Sequence, residues 1–100
     1  MSEIAMIAKL TAVEGKLDEV VAIMTPMVEA VKSEPGTLVY AMHVSTEQSA
    51  IYFYERYTDQ AALAAHGSSD AMKAVGPKLK GLTAGRPEIT MLTPVAAKGV

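Results

Sequence analysis

Apolar residues recur along this chain with two different periods, and the changes between them divide it into elements. Residues 4–10, from Ile4 to Leu10, are apolar at nearly every position and predict a first strand. Gly15 then opens a helical pattern. Leu17, Val20, Val21, Met24, Val28 and Val31 recur at spacings of three and four, and Lys16, Asp18, Glu19, Glu29 and Lys32 fall largely outside that stripe. Pro26 lies inside this helix, removes its bond to the carbonyl of Ala22 and predicts a kink. Glu34-Pro35-Gly36 ends the helix and turns the chain. Residues 37–44 predict a second strand, 45–49 a polar hairpin loop and 50–58 a third strand. Asp59 is the expected N-cap of a short helix over 60–66. Gly67 breaks it, and Ser69 or Asp70 caps a further helical piece, strained at Gly76-Pro77 and ending near Gly85. Residues 86–92 alternate as a fourth strand. The order β-α-β-β-α-β is the split βαβ, a ferredoxin-like α+β fold.

The strands carry more apolar residues than such a sheet needs. With helices on one face, the other should be polar. Instead Ile4, Met6, Ala8 and Leu10 oppose Ala5 and Ile7 in the first strand, and Leu38, Tyr40 and Met42 oppose Val39 and Ala41 in the second. In the third, Ile51 and Phe53 oppose Tyr52 and Tyr54. Two helices cover one face, so the other is expected to meet a second copy, giving a homodimer. Residues 1–94 form the expected single α+β domain, and 95–100 a C-terminal tail.

One hundred residues suit one domain with one modest core. The net charge of −2 makes no electrostatic case for nucleic acid or an anionic membrane. Without cysteine there is no disulfide, zinc-thiolate or thiol chemistry. The opening residues lack a basic stretch, and Lys9 interrupts their apolar run, so neither a secretory signal nor a membrane span is read there and a cytoplasmic protein is expected.

Chemistry-bearing side chains concentrate between Tyr40 and His66, which span all the aromatic residues, both histidines and Glu55-Arg56. The ordered set Glu34-Pro35-Gly36, Tyr40, His43, Tyr54-Glu55-Arg56-Tyr57, Thr58-Asp59, Ala61-Ala62-Leu63, Ala65-His66 and Met72-Lys73-Ala74 resembles the antibiotic biosynthesis monooxygenase family. Within that family it is similar to the small bacterial quinol monooxygenases. The likeness spans nearly the whole chain, including Pro26 and Leu92-Thr93-Pro94. It implies a dimeric α+β barrel that oxygenates a quinol or related electron-rich phenol with dioxygen, without flavin, metal or other cofactor. Haem-degrading members carry a tryptophan near the position of His66 and a haem-ligating histidine where Gly76 stands, and this chain has neither. Other members isomerise small keto or sugar-phosphate compounds. That redox-free chemistry and a non-enzymatic, ligand-binding or stress role are the alternatives.

Several residues are candidates for such a site. His66, at a position where the family carries histidine, is either the base that deprotonates a hydroxyl or a helix-terminal histidine bonded to backbone carbonyls. Glu55 alternates with Ile51, Phe53 and Tyr57 and so points to an apolar face. It is expected to pair with Arg86 or Lys9 at the dimer seam; unpaired, it becomes a second catalytic candidate with a raised pKa. Tyr40 and Tyr54 could offer hydroxyls and ring faces to a quinone, and His43 either enters the pocket or meets water beside the hairpin. Met24 is either pliable pocket lining or core filler. No spacing among His43, His66, Glu55 and Asp59 supports a metal site. The pocket is expected between helices and sheet.

Overall fold

The central strand β1, Ile4–Thr11, pairs antiparallel on both sides, with β3 (Ala50–Tyr57) and with β4 (Glu88–Leu92). Strand β2, Thr37–Ser45, adds to the far side of β3, giving the order β2-β3-β1-β4. Helix α1 is Leu17–Val31, α2 is Gln60–Gly67 and α3 is Asp70–Leu79. The computed structural model describes residues 3–99. Met1, Ser2 and Val100, the last belonging to the expected tail, lie outside the described residues. The architecture is the ferredoxin-like α+β fold, with the second helical region divided in two.

Local chemistry accounts for most of these boundaries. Gly15 supplies the positive φ (78°) that turns the chain into α1. The buried stripe of α1 is Val20, Met24, Met27 and Val31, an alternation of four and three, with Leu17 and Val21 half-buried beside it. Met27 occupies the place expected of Val28, which is half-buried. The helix runs through Pro26 without a break. Ala22 and Pro26 are both exposed, so water can take the carbonyl that proline leaves without a donor. The Asp59 carboxylate accepts from the Ala62 amide (2.8 Å) and starts α2. The Ser69 hydroxyl accepts from the Met72 amide (3.2 Å) and starts α3, so Ser69 rather than Asp70 is the cap.

The helices pack on the face that carries Met6, Ala8, Leu10, Ile51, Phe53 and Tyr57, and with Val20 and Met24 these make the core. One side chain departs from the expected alternation. Thr37 pairs with Tyr57 and Val39 with Arg56, so Leu38 is an extra residue in a β-bulge and stands 48% exposed instead of joining Tyr40 and Met42. The opposite face is built of rows such as Ala41-Tyr54-Ile7 and Val39-Arg56-Ala5. Among the described residues, no helix is long and apolar enough to cross a membrane.

Candidate active site

Antiparallel register places three side chains in one row on the helix face: Tyr40 on β2, Glu55 on β3 and Met6 on β1. Met42, Phe53 and Ala8 form the next row. The last turn of α2 lowers His66 onto this floor, its ring 5.2 Å from that of Tyr40 and 5.6 Å from that of Tyr57. Met24 of α1, Leu63 of α2 and Met72, Val75 and Leu79 of α3 close over the top. Between floor and roof lies a cavity of about 600 Å³, bordered also by Lys80, Thr83, Pro87 and Ile89.

His66 is 4% exposed, and its Nδ1 lies 2.9 Å from Oε1 of Glu34. The same oxygen accepts the Thr37 hydroxyl (2.8 Å). A carboxylate only accepts, so Nδ1 carries a proton, and in the neutral ring the lone pair is at Nε2. Nε2 makes no hydrogen bond among the described residues, and no fully buried side-chain nitrogen or oxygen there lacks a partner. Nε2 therefore opens on the cavity that His66 lines. The same reasoning applies to the Tyr40 hydroxyl and to the second oxygen of Glu55, both cavity-lining and neither hydrogen-bonded.

Glu55 is 3% exposed and accepts the Tyr57 hydroxyl at 2.5 Å. Desolvation by burial pushes its pKa up; the Tyr57 hydrogen bond and the nearby His66 oppose that shift, and Glu34 adds to it. Burial, then the charges of Glu55 and Glu34, raise the Tyr40 phenol. Burial likewise raises Tyr57, and its bond to Glu55 raises it further. Both tyrosines are held as O–H donors. The site thus offers an oriented imidazole acceptor beside neutral donors, inside apolar walls.

Of the residues singled out in the sequence, the fold brings His66, Glu55, Tyr40 and Met24 to this cavity. It carries Tyr54 and His43 away from it. Both sit on the opposite sheet face, Tyr54 in register with Ile7 and Ala41, and His43, exposed, in register with Tyr52. Alternation at period two forces this, because Tyr54 adjoins Glu55 in sequence and His43 adjoins Met42. The expected ion pair of Glu55 is also absent among the described residues. Lys9 lies on the other face with its Nζ over the Tyr52 ring, 5.6 Å from the centroid, and Arg86 precedes β4 in an exposed turn. Arg56 pairs instead with Glu3. His66 bonds a carboxylate, not the backbone carbonyls that a helix-terminal role alone would give it.

Two participants were not visible as such in the sequence. Tyr57 shares the face of Glu55 two residues away, a signal that alternation could have supplied. Glu34 reads there only as part of a turn, and nothing local links it to a histidine 32 positions later. Among the described residues, no three His, Asp or Glu side chains converge to hold a metal ion.

The family model described as antibiotic biosynthesis monooxygenase matches residues 3–77. A provisionally named antibiotic biosynthesis monooxygenase from Caulobacter crescentus CB15 is 33% identical; the match covers 95% of this chain and 92% of that one, with a TM-score of 0.86. PA3566 from Pseudomonas aeruginosa is 24% identical over 96% of this chain and 97% of its own, with a TM-score of 0.87. Rv0793 from Mycobacterium tuberculosis is 22% identical over 96% and 98%, with a TM-score of 0.86. These last two are likenesses of fold alone. A comparison with curated proteins finds no match.

Proposed function

This chain belongs to the antibiotic biosynthesis monooxygenase family, and from that premise we propose that it is a cofactor-independent monooxygenase of a quinol or related electron-rich phenol. One observation carries this reading: the unbonded Nε2 of His66 opens on an apolar cavity while Glu34 fixes the other ring nitrogen. Nε2 takes the proton of a substrate hydroxyl, and Glu34 stabilises the imidazolium so formed. The Tyr40 hydroxyl donates to the phenolate, holding it where few waters can solvate it, and Glu55 stands beside it in the same row. The anion passes one electron to dioxygen; superoxide and aryloxyl radical combine at a ring carbon, and the hydroperoxide loses water to leave a carbonyl. For a quinol the balance is quinol + O₂ → hydroxyquinone + H₂O.

Two copies meet through the open sheet face, whose central row of Ala41, Tyr54 and Ile7 is half-buried within a single chain. This supports a homodimer with one cavity per subunit.

The test is oxygen uptake with a reduced naphthoquinone. His66→Ala should lower it about 10²- to 10⁴-fold, the usual worth of a positioned base. Unchanged turnover would remove His66 from the mechanism. Conversion that persists without dioxygen would replace oxygenation by redox-free isomerisation.

A further inference from the structure

Three of the cavity's polar side chains, Tyr40, Glu55 and His66, are gathered at one end, and this constrains the substrate. Tyr40 and Glu55 are direct partners across β2 and β3, and His66 lies over that row. The next row, about 6.7 Å along the strands, is Met42, Phe53 and Ala8, and the one beyond holds Ile51 and Leu10. Met24, Leu63 and Val75 above them are apolar as well. Lys80 and Thr83 belong to the turn that hydrogen-bonds Thr11 and Val13 at the opposite end of β1, where Thr83 bridges Ala12. That is about 20 Å along the strand from Met6, beyond the reach of one ring system. An oxygen at the polar end therefore has three unengaged partners: His66 Nε2, the Tyr40 hydroxyl and the second Glu55 oxygen. An oxygen on the far side of an aromatic ring lies over the apolar row of Phe53 and Ala8 instead.

The geometry points to a substrate whose two oxygens sit on adjacent ring carbons, an ortho-dihydroxyarene. One hydroxyl meets His66 Nε2, and its neighbour is bound by Tyr40 and Glu55. This rests on the proposed reading of the cavity as the place where a phenol is deprotonated, and it narrows the quinols that enter. A para-quinol buries its second hydroxyl against Phe53 and Ala8 without a partner, which weakens binding about ten- to hundredfold.

Binding and turnover test this separately on the intact protein. Naphthalene-1,2-diol, naphthalene-1,4-diol and 2-naphthol, kept reduced under nitrogen, are titrated calorimetrically, and oxygen uptake is then recorded with each. The 1,2-diol should bind about ten- to hundredfold tighter than the 1,4-diol, and tighter than 2-naphthol. Tyr40→Phe should shrink its advantage over 2-naphthol. Equal or tighter binding of the 1,4-diol overturns the inference, even where that compound consumes oxygen and the monooxygenase reading stands. A preserved preference for the 1,2-diol with no oxygen uptake from any compound defeats the monooxygenase reading and leaves the inference in place.

Discussion

Gly36→Ala tests how the turn after α1 positions the site. Gly36 does not occupy the left-handed region, so alanine suits its backbone and the constraint is space alone. A Cβ there would lie 2.5 Å from the Ala62 Cβ and 3.3 Å from the Thr58 hydroxyl oxygen. Neither side of this contact yields easily. The Gly36 carbonyl accepts from the Thr58 amide (3.0 Å), and Ala62 is in the first turn of α2, its amide held by Asp59 (2.8 Å). Relief to an ordinary carbon–carbon separation requires a movement of about 1 Å between turn and helix. Glu34 is on the turn and His66 on the helix, so the same movement stretches their 2.9 Å bond beyond hydrogen-bonding range. Overpacking of this kind costs about 1–3 kcal/mol, and each kcal/mol lowers Tm by about 4–8 °C in a domain of this size. Gly67→Ala is the control. It sits at the end of the same helix with nothing within 4 Å of its would-be Cβ, so it should be neutral or gain up to about 1 kcal/mol. Thermal denaturation followed by circular dichroism compares the two. A Gly36→Ala protein melting with wild type would show that the turn does not press on α2 and that the seam is looser than described.

Glu34→Ala should leave the His66 Nδ1–H buried without an acceptor and cost about 1–3 kcal/mol in urea denaturation, whereas Glu34→Gln, whose amide oxygen still accepts, should recover most of it; equal losses in the two variants would refute the pairing. For Glu55, the pKa is raised in the fold, so its contribution to stability is complete below the unfolded carboxylate range and declines as pH rises through the folded value. Wild type should therefore lose ground to Glu55→Gln as pH rises above the ordinary carboxylate range, and a difference that does not change with pH would contradict the desolvation argument. Sedimentation at micromolar concentration should find twice the 10.6 kDa chain mass, with Ala41→Glu shifting it toward the single chain; a lone 10.6 kDa species in the wild type would end the dimer proposal.

The frame was legible because it rests on local periodicity. The run of Ile4 to Leu10, the stripe from Leu17 to Val31 and the cap at Asp59 each decide a boundary from neighbouring residues and are found where their chemistry puts them, and of Ser69 and Asp70 the first is the cap of α3. Errors arise where pairing overrides period. Leu38 leaves the core because the register of β2 against β3 admits one extra residue, which hydrophobicity along β2 does not encode. The fourth strand is shorter than its alternation suggests, starting at Glu88, since Arg86 and Pro87 find no partners beyond the Lys9–Glu88 pair. Met27 joins the buried stripe in place of Val28 because α1 turns its 3.6-residue repeat toward a definite floor.

The site divides along the same line. That Glu55 faces an apolar layer follows from alternation, and so does the exclusion of Tyr54, His43 and Lys9 from that layer. Consistently applied, the same rule forbids the Glu55–Lys9 pair. Glu34 and Glu55 are chemically identical residues, and only their surroundings assign them different work. Glu34 meets an imidazole N–H and a threonine hydroxyl, two donors that suit a carboxylate, so it serves as an acceptor that fixes the histidine tautomer. Glu55 accepts one hydrogen bond, from the Tyr57 phenol, and burial pushes its pKa up. The part Glu34 plays does not exist until α2 is laid against the turn after α1, because it depends on a contact between residues 32 positions apart. The contact that orients the His66 ring is thus the seam where Gly36 has no room for a side chain.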